Sequence, residues 1–153
     1  MIAFRIASRR HRMFDGAGAA EYGGRWNSPG RPVIYAASSL SLAMLEQLAQ
    51  TETGRVPHDH AFVEIMIPDS VSIETVDPGA VAGWDAADRV ASRAVGDRWL
   101  AERRSCVLLT PSVIVLTEHN VVINPAHPEF DRLTASVVRN LNWDQRLKGF
   151  GER

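Results

Sequence analysis

Three side chains of complementary chemistry occur within 22 residues of this sequence: Arg25, Tyr35 and Glu46. The arginine lies in the glycine-rich segment 23–27, where glycines let the backbone come close to a ligand. A guanidinium group binds phosphate through paired hydrogen bonds, a tyrosine ring packs on a base or a sugar, and a carboxylate stabilises positive charge. These residue types predict a site for a phosphorylated ligand that contains an aromatic ring and a sugar.

Each of these residues also has an ordinary structural interpretation. A single arginine on a glycine turn is most often a surface residue, and a tyrosine at the end of an apolar strand often lies at the edge of the core. On a helix, Glu46 lies about 40° from Leu42, with which Leu45 shares a face. The spacing therefore predicts Glu46 at the margin of a buried stripe, either as a functional or paired acid or as a helix-surface glutamate.

Length and composition predict one domain over residues 1–153, because 45% of the 153 residues are hydrophobic. The 17 basic and 18 acidic residues nearly balance, which argues against direct binding of nucleic acid, although residues 1–31 contain six arginines and two acidic residues. The single cysteine, Cys106, allows no intrachain disulfide, and no apolar run is long enough to span a membrane. We therefore expect a cytoplasmic protein that is not inserted in a membrane.

The elements that must position these residues do not alternate strictly, which predicts an α+β domain rather than a doubly wound sheet. Helices are predicted at 40–50, capped by Ser38 or Ser39, at 85–104, where Gly96 could divide the helix, and from Pro128 to about Asn140. Segments 8–32 and 51–60 are predicted loops. Short strands are predicted within 1–7, 33–37, 62–67, 71–76, 107–109, 113–116 and 121–123.

Other residues that could carry chemistry give weaker patterns. His58 and His60 flank Asp59, but no third ligand follows at a useful spacing, so we expect no metal site. Ser112 lacks the Gly-x-Ser-x-Gly elbow of serine hydrolases, and a turn after Pro111 is its simplest interpretation.

Four short motifs, taken together, resemble the RES-domain family, which is named for an arginine, a glutamate and a serine in this order. The resemblance extends from Phe4-Arg5-Ile6 to Phe130-Asp131 and so covers nearly the whole chain. The family comprises bacterial toxins that are encoded beside Xre-type antitoxins. The motifs are Gly24-Arg25-Trp26-Asn27, Ile34-Tyr35-Ala36, Leu45-Glu46 and Pro111-Ser112.

This resemblance implies one α+β domain similar to ADP-ribosyltransferase domains, with small mixed or antiparallel sheets and about three helices. It also implies a toxin that degrades NAD+, its substrate rather than a prosthetic group, by hydrolysis or phosphorolysis of the nicotinamide–ribose bond. Loss of NAD+ would arrest growth. The implied partner is a cognate Xre-type helix-turn-helix antitoxin that blocks the active site and gives the complex its operator binding.

The family's site positions, carried over by motif, are Arg25, Tyr35, Glu46 and Ser112, with Arg5 as a further ligand-binding arginine. Cleavage of a glycosidic bond builds positive charge on the sugar, which carboxylates stabilise. We expect all four motif residues to be catalytic, and our hypothesis gives Glu46 the central role, on the ribose hydroxyls and the developing charge. Arg25 would hold the pyrophosphate, Tyr35 would pack on the nicotinamide or its ribose, and Ser112 would orient one of these groups.

Three other functions stay open. The same residues would serve a toxin that transfers ADP-ribose from NAD+ to a protein side chain. A metal-independent ribonuclease would use His58 or His60 with arginines, and a catalytically dead binding module would only hold a ligand. The sequence also leaves open the acceptor of the ADP-ribose, the oligomeric state, the stoichiometry with an antitoxin, and the roles of His119 and His127.

Overall fold

Strands and helices alternate irregularly in residues 1–51 and 56–147, the part of the chain that the computed structural model describes. The strands are β1 (Ile2–Ser8), β2 (Ile34–Ala37), β3 (His60–Met66), β4 (Ile73–Thr75), β5 (Val107–Pro111), β6 (His119–Ile123), β7 (Thr134–Ala135) and β8 (Arg139–Asn140). The α-helices are α1 (Ala17–Tyr22), α2 (Leu40–Gln50) and α3 (Val90–Glu102), and short 3-10 helices occur at Pro78–Ala80, Phe130–Arg132 and Gln145–Leu147. No helix in these residues has the length and apolarity needed to cross a membrane.

All eight strands belong to one sheet, in the order β4-β5-β6-β2-β1-β3-β7, with β8 also paired to β3. The paired strands are antiparallel except for β4 and β5, which run parallel. The expected α+β fold, with mixed strand directions and about three helices, is confirmed.

The sheet opens between β1 and β2. β1 is paired with β3 along all seven of its residues, and β2 is paired with β6 along all four. Between β1 and β2, the described residues form a single registered pair, Phe4 and Ala37. Because the ladder stops at this pair, the sheet has a gap near its middle.

Alternation along the strands divides the buried side chains between the two faces of the sheet. Val107 packs in one cluster with Ile123, whereas its neighbour Leu108 packs in a second cluster with Trp26 and Trp99. Both tryptophans are at most 2% exposed, and burial of a large apolar side chain contributes about 1.5–3 kcal/mol to stability. Trp26 therefore anchors the glycine-rich segment 23–30, here called the arginine loop, in the core.

Helix α2 has the predicted bounds and the predicted cap. The Ser39 hydroxyl accepts a hydrogen bond from the Leu42 amide at 3.1 Å, which satisfies one of the free amides of the first turn. The buried side of the helix differs from the predicted stripe, because Leu42 and Ala43 are buried whereas Leu45 is 42% exposed. Since residues four apart lie on one side of a helix, Glu46 belongs to the face that contacts the sheet.

Helix α3 is shorter than predicted and is not divided at Gly96. It begins at Val90 rather than Asp85, because Arg89 has a left-handed backbone with φ 60°. Gly96 lies inside the helix, where an added Cβ would overlap the carbonyl oxygen of Trp26. The glycine therefore allows α3 to pack directly on the backbone of the arginine loop.

The helix predicted from Pro128 to Asn140 is wrong. This segment forms the 3-10 helix Phe130–Arg132 and then strands β7 and β8, which pair with the outer edge of β3. Leu133 is buried but Val137 is 81% exposed, so apolar residues at helical spacing do not share one buried face. By pairing with β3, strands β7 and β8 satisfy the backbone hydrogen-bonding groups at this edge of the sheet, and this gain outweighs the helical pattern of the sequence.

Three shorter predictions also need comment. The predicted loop 8–32 contains α1, which follows Gly16 in a left-handed conformation with φ 73°. The predicted strand 113–116 is wrong, because Ser112 holds these residues in a turn. Of the predicted loop 51–60, residues 52–55 lie outside the described residues.

Candidate functional site

A cleft of about 420 Å³, including the space at its open mouth, lies over the gap between β1 and β2. Phe4 and Ile6 from β1 and Ala37 from β2 give it an apolar floor. Glu46 from α2 and Asn120 from β6 are polar groups of its wall. The cleft therefore combines an apolar surface with a carboxylate, as ligand sites commonly do.

The Glu46 carboxylate is held by two side chains from distant parts of the sequence. Its Oε1 accepts a hydrogen bond from the Ser112 hydroxyl at 3.1 Å and one from Asn120 Nδ2 at 2.6 Å. Its Oε2 accepts no hydrogen bond from a side chain of the described residues 1–51 and 56–147. One oxygen is thus fixed by the protein, and the other is available to a ligand.

Ser112 is fully buried and supports the site from below. Besides donating to Glu46, its Oγ accepts hydrogen bonds from the amides of Ile114 and Val115, both at 3.1 Å. The structure therefore brings Glu46 and Ser112 together, as the resemblance implies, but the hydroxyl is engaged on all sides. This geometry suits a residue that orients Glu46 rather than a nucleophile.

Tyr35 lines the cleft, and its hydroxyl contacts the arginine loop. This hydroxyl accepts from the Trp26 amide at 2.9 Å and donates to Asn27 Oδ1 at 2.8 Å. Burial is the main cause that raises the pKa of Tyr35. A Cβ on Gly24 would lie 2.5 Å from the Tyr35 hydroxyl, so the loop needs glycine there. The side chain is consequently held in place, and its hydroxyl is engaged by the loop rather than free for a ligand.

Arg25 joins the arginine loop to the segment that precedes α3. Its Nη1 donates to the carbonyl oxygens of Trp84 at 3.1 Å and Ala86 at 3.0 Å. Burial lowers the pKa of Arg25, and nearby Arg89 lowers it further, whereas Glu46 raises it. The guanidinium therefore lies within electrostatic reach of the carboxylate, although Arg25 does not itself line the cleft.

Arg5 fills the gap between the two strands. Its Nη1 donates to the Tyr35 carbonyl oxygen at 2.9 Å, so the side chain replaces a bond that a continuous ladder would make. Its Nε is buried and has no partner among residues 1–51 and 56–147. Burial lowers the pKa of Arg5, and Asp15 opposes this effect. Arg5 does not itself line the cleft, and its side chain joins β1 to β2 beside it.

Two asparagines complete the site, and the motif analysis gave neither of them a role. Asn27 is fully buried, and its Nδ2 donates to the carbonyl oxygens of Ala19 and Arg31, both at 2.8 Å. Asn120 contacts Glu46. Asn27 could have been noticed in the sequence because it is a polar residue within a glycine-rich loop. Nothing local in the sequence indicates Asn120.

Two of the five histidines, His60 and His127, make side-chain contacts within the fold. His60 Nδ1 lies 3.0 Å from Asp59 Oδ1, and the Ser8 hydroxyl donates to Asp59 Oδ2 at 2.6 Å. His127 Nδ1 accepts from the Glu129 amide at 3.1 Å. No group of three histidine, cysteine or acidic side chains in the described ranges is arranged to hold a metal ion.

Comparison with known protein families identifies the chain. The sequence model of the RES domain matches residues 2–144. The chain belongs to the RES-domain family. Of the three residues that the sequence motifs predict as the family's arginine, glutamate and serine, Glu46 and Ser112 are in direct contact in this RES domain.

Characterised relatives match over most of their length. The RES domain is 45% identical over 138 residues to the Prs ADP-ribosylating toxin of Sphingobium sp. (strain YBL2), covering 87% of this chain and 85% of that protein. It is 36% identical over 152 residues to Toxin Res of Yersinia enterocolitica serotype O:8, covering 97% of this chain and 100% of that protein.

A solved structure shares the fold. A chain of the M. tuberculosis MbcT–MbcA toxin–antitoxin complex superposes with a TM-score of 0.75 at 20% identity, covering 92% of this RES domain and 84% of that chain. The arrangement of the sheet and helices is therefore common to both proteins.

Proposed function

We propose that this RES-domain protein is the toxin of a toxin–antitoxin system and cleaves the nicotinamide–ribose bond of NAD+ in the cytoplasm, by hydrolysis or phosphorolysis. The observation that carries the proposal is the Glu46 carboxylate, fixed by Ser112 and Asn120 in the cleft between β1 and β2. Two relatives that are named as toxins support its first part.

Glu46 performs the electrostatic work in this proposal. As the bond to nicotinamide breaks, positive charge develops on the ribose, and a fixed carboxylate stabilises this charge without having to reorganise. Oε1 is engaged by Ser112 and Asn120, so Oε2 is the atom that binds a ribose hydroxyl. The nicotinamide leaves with the bonding electrons, and water or phosphate forms the new bond to the ribose.

The arginines bind the pyrophosphate. Arg5 is held beside the cleft by its hydrogen bond to the Tyr35 carbonyl oxygen and would supply positive charge to the pyrophosphate. Arg25 commits Nη1 to the backbone of Trp84 and Ala86, which leaves its other nitrogens for phosphate oxygens. The Tyr35 ring and the apolar floor pack on the nicotinamide and its ribose.

The proposed partner is an Xre-type antitoxin that covers the cleft. The solved relative of the same fold comes from a toxin–antitoxin complex. In this chain, Val113, Ile114 and Leu116 follow Ser112 and are 41%, 40% and 75% exposed. A partner that buried these apolar side chains would lie beside the contact between Ser112 and Glu46.

Product analysis tests the proposed reaction. Purified protein is incubated with NAD+ in buffers with and without inorganic phosphate, and the products are identified by mass spectrometry. Release of nicotinamide with ADP-ribose indicates hydrolysis, and a phosphorylated ADP-ribose indicates phosphorolysis. NAD+ that stays intact, above all if RNA is degraded instead, would contradict the proposal.

Protein ADP-ribosylation is the second candidate, because the relative with 45% identity is named an ADP-ribosylating toxin. The same contacts to Glu46 would serve, with a protein side chain as the attacking group. Incubation of a bacterial lysate with labelled NAD+ separates the two reactions. Labelled protein bands that depend on Glu46 support transfer, whereas free labelled ADP-ribose alone supports degradation.

A further inference from the structure

Asn120 is the second residue of β6 and lies at the wall of the cleft. In the sheet it stands beside Ala37 of β2 and opposite Thr110 of β5. Its Nδ2 donates to Glu46 Oε1 at 2.6 Å, across 74 positions of sequence. We infer that Asn120 is a positioning residue that holds the Glu46 carboxylate in its reactive orientation, an inference that rests on the proposed function.

The need for such a residue follows from the length of the glutamate side chain. Three torsions separate its carboxylate from the backbone of α2. The first two have alternative staggered rotamers, and the third, which turns the carboxylate, varies over a broad range. Ser112 supplies one donor to Oε1, but a single hydrogen bond leaves the carboxylate free to rotate about it. The second donor, from the neighbouring strand β6, selects one orientation and directs Oε2 away from both donors.

The two donors have different roles in the fold. The Ser112 hydroxyl also accepts from two backbone amides, so its loss disturbs the turn at 113–116 as well as the carboxylate. Asn120 lines the cleft. In the described part of the chain, its side chain makes one hydrogen bond, which is the bond to Glu46. Substitution of Asn120 therefore isolates the orientation of Glu46 better than substitution of Ser112.

An aspartate in place of Asn120 distinguishes a residue that positions Glu46 from one that only fills space. It has the shape of asparagine but replaces the donor with a carboxylate next to Glu46, and like charges at hydrogen-bonding distance repel. If Asn120 only fills space, Asn120→Asp is milder than Asn120→Ala. If Asn120 positions Glu46, the order is reversed at pH 8, and the loss of activity in Asn120→Asp becomes smaller as the pH is lowered.

The first test measures kcat and KM for NAD+ cleavage between pH 5.5 and 8.5. We expect Asn120→Ala to lower kcat by about 10–100-fold, by analogy with residues that orient metal ligands, with KM nearly unchanged. Exposed Asn142→Ala is the matched control and keeps the wild-type rate. An aspartate variant that is as active as Asn120→Ala or better at every pH overturns the inference, as does an effect on KM alone.

The second test does not depend on NAD+. Thermal unfolding is measured for wild type, Glu46→Gln, Asn120→Asp and the double variant at pH 5.5 and pH 8. We expect Asn120→Asp to lower Tm by ~2–4 °C more at pH 8 than at pH 5.5. In the Glu46→Gln background, this difference between the two pH values should disappear. Additive shifts in Tm overturn the inference. If wild-type protein leaves NAD+ intact, the proposed function is overturned instead. The Tm values of the four proteins then still show whether Asn120 acts on Glu46.

Discussion

An added Cβ on Gly96 would overlap the carbonyl oxygen of Trp26, so helix α3 packs against the bare backbone of the arginine loop. Helix α3 holds the loop at a second point, because Arg93 donates from Nε to the Gly24 carbonyl oxygen at 2.8 Å. The position of Arg25 therefore depends on a glycine that is 71 residues away in the sequence.

We expect Gly96→Ala to disturb the loop and lower both stability and activity. The added methyl group forces α3 or the loop to move, and overpacking of this kind typically costs about 1–3 kcal/mol. Gly18→Ala in α1 is the matched control, because a Cβ there has no neighbour within 4 Å. Urea unfolding and NAD+ cleavage of both variants check the prediction, which fails if Gly96→Ala is as stable as wild type.

The sequence predicts the parts of the site that depend on local chemistry. The arginine loop and the Ser39 cap of α2 follow from glycine and capping patterns within a few residues. The side of α2 that faces the sheet is harder to predict from the sequence. Leu45 fits an apolar stripe but points away from the sheet, and only the packing shows that Glu46 belongs to the buried side.

The gap between β1 and β2 cannot be predicted from either strand alone. It depends on the strand order, which makes β1 pair fully with β3 and β2 with β6. The same order brings Asn120 next to Ala37 and so to Glu46, although neither residue has a local signal for this contact. Long-range pairing, rather than residue type, creates the cleft.

Removal of the Tyr35 hydroxyl should destabilise the protein while leaving the ring in the cleft. Tyr35→Phe leaves the Trp26 amide and Asn27 Oδ1 without their partner, and a buried unpaired polar group costs about 1–3 kcal/mol. Tyr22→Phe, at a position 74% exposed, is the control and should change stability by less than about 0.5 kcal/mol. If the ring alone contacts NAD+, Tyr35→Phe keeps most of the activity and Tyr35→Ala loses it.

Stability should fall at alkaline pH partly because of Cys106. Burial raises the pKa of this thiol from 9.0 to about 11, so the folded protein keeps the proton over a range in which the unfolded chain loses it. The unfolded state then binds fewer protons, and the free energy of unfolding decreases as pH rises through this window. Below pH 9 the contribution is complete.

The Cys106→Ala variant isolates this contribution, since other groups titrate equally in both proteins. Urea unfolding is measured for each protein between pH 8 and pH 11. We expect the stability difference between wild type and Cys106→Ala to be constant up to about pH 9 and to shift against the wild type above it. A difference that is independent of pH across this range would mean that the thiol is not protected in the folded protein.

Glu46→Gln should abolish most of the NAD+ cleavage without unfolding the protein. The substitution keeps the size of the side chain and an oxygen that can accept from Ser112 or Asn120, but it removes the negative charge that the proposed mechanism needs. Loss of one preorganised electrostatic partner typically lowers kcat by about 10²–10³-fold. The exposed Glu21→Gln in α1 changes the net charge equally and should retain the wild-type rate, so a fall shared by both variants would reflect overall charge. Cleavage by Glu46→Gln at the wild-type rate would show that the bond breaks without this carboxylate.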